Sequence, residues 1–476
     1  MQTHFTRRLS APLALLCLFV FSASLYTTAR AQTAEGVRQA KRALVISLDG
    51  FDARYLLRRD EYGLKIPTLR RLLAEGASAS GVVSVYPSVT YPAHTTLVTG
   101  AAPRRHGIYG NEMLDSVAAP SPRPWYWFAR DIRTDTLWNA AARRRLSTGM
   151  VSWPVATGAG DFNVPEIWKA GTNPGDDFRV TIGEIGAHAR PRGLVEEIAR
   201  RDAELYRRVT KDEGDDMRTR FAEYIIEEKR PHLMFVHLFD LDHFQHDFGP
   251  FTPEAFATLE KSDAYVARLL AAAERAGTLA ETAVFIVSDH GFKPTAKRIH
   301  PGVLLERAGL VKVRREQDAK GETRTVVGEW RALPYASSGS CAIVLRDPRD
   351  REALAIVRNL LKAASVMDGG LFQNIFEAHE LRTLGANPRA SLMLEAGEGY
   401  SFGNNLTGEL VTPSKDKGNH GYLPTRADYR ASFIASGAGV ARRGDLGVVP
   451  MTDIAPTIAR TLGLRLRTAD GRALKL

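Results

Sequence analysis

Cysteine is nearly absent from this chain. Its 476 residues hold only Cys17 and Cys341, so a framework of several disulfides is excluded and stability has to come from core packing or metal ions. Long apolar runs are scarce as well. The one candidate, residues 11–25 (APLALLCLFVFSASL), falls short of the roughly 20 residues that a membrane-spanning helix requires. Lysine-rich tails, aromatic–basic repeats, long internal repeats and low-complexity segments are also missing, which argues against dedicated nucleic-acid binding and against repeat architectures.

The apolar run has the setting of a secretory signal. Arg7 and Arg8 precede it, and Ala29-Arg30-Ala31 supplies an A-x-A cleavage site behind it, so residues 1–31 are expected to be removed before Gln32. An uncleaved membrane anchor is the alternative; Leu15 and Leu16 ahead of Cys17 make a poor lipobox. Cleavage implies export to a periplasm or out of the cell, with no lasting anchor. It leaves Cys341 unpaired, and losing Arg7, Arg8 and Arg30 takes the formal net charge from +10 to +7. A mildly basic surface suits an anionic substrate, and suits plain solubility equally well.

Apolar periodicity gives an alternating pattern. Short β-type runs are expected at 43–48 (ALVISL), 82–85, 150–153, 233–238 (LMFVHL) and 283–287 (AVFIV). Helical spacing is expected at 67–74, 93–98, 135–144, 215–228, 253–275 and 453–462. Strands alternating with helices predict an α/β fold with a mainly parallel central sheet. Residues 155–210, rich in Gly, Pro and charge, fit the alternation less well. So do residues 295–415, expected to form an inserted, cap-like subdomain of a catalytic domain spanning 32–476. In parallel sheets ligands bind beyond the carboxyl ends of the strands, and Asp49, Asp242 and Asp289 each lie at or just past such an end.

Several of these residue types suit a metal. Asp242 and His246, in DHFQH, are four apart and would share one face of a helical turn. Asp289 and His290 are adjacent after a strand, Asp49 ends the first strand, and His420 sits in the glycine-flanked GNHGY. Mixed carboxylate and imidazole donors suit zinc better than magnesium. Taken singly, an Asp at a strand end also serves as a helix cap, and a lone His as a hydrogen-bonded core residue. Thr90, in SVYPSVTYPAHTTLVTG, follows a short strand and precedes a helix. It can cap that helix, or, activated by a metal, act as a nucleophile on an anion held at the helix N-terminus.

The ordered set LDGFD, PSVTYPAHTTLVTG, HGIYGN, DHFQH, SDHG and GNHGY resembles the nucleotide pyrophosphatase/phosphodiesterase family (type I phosphodiesterases) of the alkaline phosphatase superfamily. DIAPTIARTLG resembles the closing helix of that superfamily, so the likeness spans residues 43–462. It implies an alkaline-phosphatase-like core and two zinc ions. One would be held by Asp242, His246 and His420, the other by Asp49, Asp289, His290 and the Thr90 oxygen. Thr90 would be the nucleophile, forming a phosphothreonine, and Asn111 would hydrogen-bond a phosphoryl oxygen. Leu241 and Gln245 stand where the family often has Pro and Gly, which leaves the ligands intact and the subfamily open.

The resemblance also bears on the substrate, a small phosphate ester or nucleotide. Phosphomonoesterases of the superfamily add a closely spaced Lys and Arg. The comparable stretch here, VSWPVATGAG, has none, and Trp153-Pro154 resembles the diesterase branch, so diesters and pyrophosphates are expected. Tyr91 is a candidate for the nucleoside pocket, and equally for the core. Trp125, Tyr126 and Trp127 can line that pocket or pack a loop. A sulfatase would need Cys or Ser followed by x-Pro-x-Arg, whereas Thr90 is followed by Tyr91-Pro92-Ala93-His94. A phosphomonoesterase or phosphonate hydrolase would share the metal ligands, and a non-catalytic phosphate-binding protein is the alternative of another class. The Asn405-Leu406-Thr407 sequon matters only in a eukaryotic secretory route.

Overall fold

Three apolar hexapeptides decide the centre of the molecule. In the computed structural model, β1 (Arg42–Leu48), β5 (Leu233–Leu238) and β6 (Thr282–Val287) are adjacent and parallel, and all their residues except Arg42 are buried. Continuous apolar runs are what a strand covered on both faces requires. Alternate residues serve opposite cores: Leu44, Ile46 and Leu48 face one apolar cluster and Ala43 and Val45 the other. The structure describes residues 39–119, 123–170, 172, 178–202, 214–317, 323–368 and 370–476. The expected signal segment, residues 1–31, lies outside them.

The remaining strands of the central sheet are β2 (Ala77–Ser78), β3 (Thr148–Val151), β4 (Phe162–Val164), β7 (Phe433–Gly437) and β8 (Gly444–Asp445), in the order β8-β2-β7-β6-β1-β5-β3-β4. β7 alone runs antiparallel to its neighbours β6 and β2. The fold is therefore the expected α/β class. Phe162–Val164, with the helices Phe178–His188 and Leu194–Arg201, lies in the stretch that the sequence pattern left irregular. No helix among the described residues is long and apolar enough to cross a membrane.

A third apolar cluster lies mainly between Ile299 and Tyr429. Its centre is a four-stranded antiparallel sheet, ordered Ala332–Ser337, Ser340–Leu345, Leu392–Ala396, Phe372–Glu377, together with the helix Arg351–Met367. The sole cysteine of the described residues, Cys341, is buried there and unpaired.

Register fixes where the functional side chains emerge. Leu48 pairs with Leu238 and Ser47 with Val287, so β1, β5 and β6 end together. Asp49 follows the first, helix α2 (Asp240–Phe248) the second and Ser288-Asp289-His290 the third. Helix α1 (Thr90–Thr99) is almost wholly buried and ends at Gly100.

Candidate active site

Asp49, Thr90, Asp242, His246 and His420 all line one cavity of about 980 Å³. The helix α1 begins at Thr90, with Val89 in the cap position. Thr90 is thus the first helical residue rather than the cap. Its hydroxyl has no hydrogen-bond partner among the described residues, and the side chain is half-buried against the cavity.

The imidazoles share one arrangement. His246 Nδ1 donates to the Gly418 carbonyl (3.0 Å), His290 Nδ1 to the Gly291 carbonyl (3.2 Å) and His420 Nδ1 to the Ser88 carbonyl (3.4 Å). A carbonyl can only accept, so each Nδ1 carries hydrogen and Nε2 is the nitrogen that would face a metal, with a lone pair once it is deprotonated. Those Nε2 atoms point at carboxylates. His246 lies 3.5 Å and His420 3.7 Å from the two oxygens of Asp242, while His290 lies 3.0 Å from Asp289 Oδ2 and 3.4 Å from Asp49 Oδ1.

Asp49 Oδ1, Asp242 Oδ1, Asp289 Oδ2 and His290 Nε2 are buried without a hydrogen-bond partner. Leaving one such atom unsatisfied costs about 1–3 kcal/mol, more if charged, so four that converge mark a place built for cations. Asp242–His290–His420 and Asp49–Asp289–His290 each bring three donor atoms within 4.8 Å of one another, and they share His290. The His290 and His420 rings stack at 3.8 Å.

Crowded carboxylates shift one another. Burial, then the charges of Asp289 and Asp242, push the Asp49 carboxyl well above its ordinary range. Burial likewise raises Asp242, although His246 and His290 oppose it. Asp289 goes the other way: burial opposes ionisation, but His290 beside it and the Gly50 N–H, donating to Oδ1 at 3.1 Å, hold it below the usual carboxylate range. His290 is pushed up to about 9, burial being outweighed by Asp289 and Asp49.

Two further histidines stand behind these donors, and the sequence reading missed them. His237, on β5, places Nε2 2.9 Å from Asp49 Oδ2 and Nδ1 3.0 Å from the Ser152 carbonyl, with Glu166 at 3.5 Å. The Ser152 carbonyl can only accept, so Nδ1 carries hydrogen, and Nε2 is taken up by Asp49, a setting that favours a positive charge on the ring. Burial disfavours that charge, but Asp49 and Glu166 carry the imidazole up to about 10. His94, on α1, is its neutral counterpart, pushed down to about 3 by burial and by His237. Its Nδ1 donates to the Thr90 carbonyl and its Nε2 accepts from Ser47 Oγ, both at 2.8 Å. The group Asp49–His94–His237 is also compact enough to hold an ion, but every imidazole nitrogen in it is already engaged.

The other expected residues are on or beside the cavity. Asn111 lines it, and its Oδ1 accepts from the Tyr91 N–H at 3.0 Å, which leaves the Nδ2 amide for a ligand. Tyr91 is fully buried, its hydroxyl donating to Glu166 Oε1 at 3.1 Å. Trp125 is half-buried on the wall, edge-on to Trp168 at 4.8 Å, whereas Tyr126 and Trp127 pack in the core. Trp153 is core as well, against His94 and Phe235. The departures in α2 have local reasons. Leu241 fills the core, and Gln245 Nε2 donates to the Gly50 carbonyl (3.0 Å) while Tyr55 Oη donates to its Oε1 (2.9 Å).

A helix N-terminus bearing a free hydroxyl faces buried donors for cations at the ends of parallel strands, and these are the parts that metal-assisted phosphoryl transfer requires. A profile of the type I phosphodiesterase/nucleotide pyrophosphatase family matches residues 43–423, and the chain belongs to that family. An uncharacterized pyrophosphatase/phosphodiesterase of Schizosaccharomyces pombe is 24% identical over 296 residues, covering 60% of this chain and 52% of that protein. Human ectonucleotide pyrophosphatase/phosphodiesterase family member 1 is 25% identical over 259 residues, 52% of this chain and 23% of the relative. The chain thus spans about half the length, or less, of the curated relatives it matches. Among solved structures, human ectonucleotide pyrophosphatase/phosphodiesterase 5 superposes with a TM-score of 0.62 at 18% identity, covering 90% of this chain and 97% of that one. An inactive variant of the murine protein, in complex with AMP, gives 0.62 at 20% identity over the same shares. The alkaline-phosphatase-like fold is shared with these structures.

Proposed function

We propose that this protein is an exported phosphodiesterase or nucleotide pyrophosphatase that uses two zinc ions and forms a phosphothreonine on Thr90. The observation that carries the reading is the set of buried, unpartnered donor atoms of Asp49, Asp242, Asp289 and His290, gathered behind a cavity onto which Thr90 opens. Asp242, His246 and His420 would hold one ion; Asp49, Asp289, His290 and the Thr90 oxygen would hold the other. Zinc there would acidify the Thr90 hydroxyl and a water, and neutralise charge on the phosphoryl oxygens.

The residues of the chain do the rest. Thr90 Oγ1 attacks phosphorus in line and expels an alcohol or a nucleoside phosphate. Water then hydrolyses the phosphothreonine and restores the hydroxyl. The Asn111 Nδ2 amide and the first-turn amide of Thr90 bind the non-bridging oxygens, where one donor of this kind is typically worth about 3–4 kcal/mol. Trp125 offers an aromatic surface to a base or an aryl group.

The cavity favours a diester over a monoester. A monoester brings a second full phosphate charge and calls for an uncommitted cation. Among the described residues lining the cavity the Arg side chains are Arg218, paired with Asp215 at 2.9 Å, and Arg298, paired with Asp416. The AMP bound by the murine relative supports a nucleotide-type substrate. Tyr335, Phe402 and Asn404, which form part of the cavity wall, support residues 295–415 as a cap over the site. Export rests on the signal at residues 1–31, and Gln32 at the N-terminus of the secreted protein would verify it. The decisive assay compares bis-p-nitrophenyl phosphate with p-nitrophenyl phosphate. The expected result is a higher kcat/KM for the diester, lost on chelation and restored by zinc. A large monoester preference, or full turnover without metal, would defeat the proposal.

A further inference from the structure

The two oxygens of Asp49 are used differently. Oδ1 has no hydrogen-bond partner and lies 3.4 Å from His290 Nε2. Oδ2 is occupied by His237 Nε2 at 2.9 Å. One oxygen is therefore committed to an imidazole from the neighbouring strand, and the other is left for an ion.

His237 is itself held rigidly. It is 1% exposed, its other nitrogen is bonded to the Ser152 carbonyl, and Glu166 closes on it from β4's end of the sheet at 3.5 Å. Glu166 in turn accepts from the Tyr91 hydroxyl, and the Tyr91 amide holds Asn111 Oδ1. A chain of contacts thus runs from Asp49 through His237, Glu166 and Tyr91 to Asn111, joining a metal-facing carboxylate to the segment that carries Thr90. With both its nitrogens engaged, His237 offers no lone pair to an ion.

We propose that His237 is a positioning residue that commits Asp49 to bind metal through Oδ1 alone and ties that ligand to the Thr90 segment. The proposal rests on the two-metal reading of the site. Outer partners of metal ligands fix their orientation, and losing one typically costs about 10- to 100-fold in metal affinity or activity.

The test uses the full mature chain and zinc itself. Wild type, His237→Leu and His237→Gln are stripped and reloaded, and zinc affinity is read by chelator competition alongside kcat and KM for bis-p-nitrophenyl phosphate. His237→Leu should lose about 10- to 100-fold in affinity for one ion of the two, with kcat lowered and KM nearly unchanged. His237→Gln keeps a donor that can reach Asp49 Oδ2 and should recover most of both losses, which a purely structural role would not produce. If His237→Leu does not fold, Glu166→Gln carries the test with a smaller affinity loss in the same direction. Wild-type affinity in His237→Leu, a loss that Gln does not relieve, an unchanged affinity in Glu166→Gln, or three ions in wild type falling to two in the variants would each overturn it. A wild-type protein that binds no zinc would instead defeat the two-metal reading.

Discussion

Three histidines spend one nitrogen on a backbone carbonyl and present the other to a carboxylate, and that repetition explains why they are where they are. In those three the second nitrogen makes no hydrogen bond among the described residues, whereas His94 and His237 have both nitrogens hydrogen-bonded and none left for an ion. At this scale the proposed nucleophile is tested by Thr90→Ala, which removes its hydroxyl oxygen; turnover should vanish while the circular dichroism spectrum is kept. Asn111→Ala removes one phosphoryl donor and should cost about 10²–10³ in kcat, as steady-state kinetics would show. The protonation states give a further expectation. In the metal-free site His290 is raised to about 9, and Asp49 and Asp242 are raised too. Metal needs these groups deprotonated, so binding releases protons. Apparent zinc affinity should therefore climb as pH rises from 6 to about 9 and level off above. Calorimetry at pH 7.5 in buffers of different ionisation enthalpy should detect release of at least one proton, and a pH-independent affinity would contradict this.

At the scale of elements, the strands bring the ligands together only because their ends are in register. The turn after β1 is tightly held. Gly50 has φ +66, its N–H holds Asp289 and its carbonyl is held by Gln245. A Cβ there would sit 2.9 Å from Gln245 Nε2 and 3.0 Å from the Phe292 ring. Gly50→Ala should cost about 1 kcal/mol or more from backbone conformation alone and lower zinc occupancy, read by thermal melting and elemental analysis. The elements were legible where periodicity is strong. Leu233–Leu238 and Pro253–Arg275 run as the sequence implies, and 67–74 becomes Pro67–Glu75. Elsewhere the fold shifts them. The helix expected at 215–228 turns π-helical at Ile225–Lys229, and 82–85 becomes Gly81–Val83, paired with Val448–Pro450. Asp242 and His246 were readable as a pair because a helix repeats locally. His237 and Glu166 were not, because their meaning lies in partners 188 and 75 residues away along the chain.

For the whole molecule, the central claim is that residues scattered from Asp49 to His420 fold into one two-ion site that serves Thr90. Two apolar cores fasten the sheet from either side, and a third holds the Ile299–Tyr429 region against the cavity. Substrate choice belongs to this scale because it depends on which charges the combined walls leave uncommitted. The most direct test is anomalous diffraction at the zinc edge on crystals of the purified protein. Two peaks are predicted, one among Asp242, His246 and His420, the other among Asp49, Asp289 and His290 within reach of the Thr90 hydroxyl. No peak there, or a peak only between His94 and His237, would contradict the account.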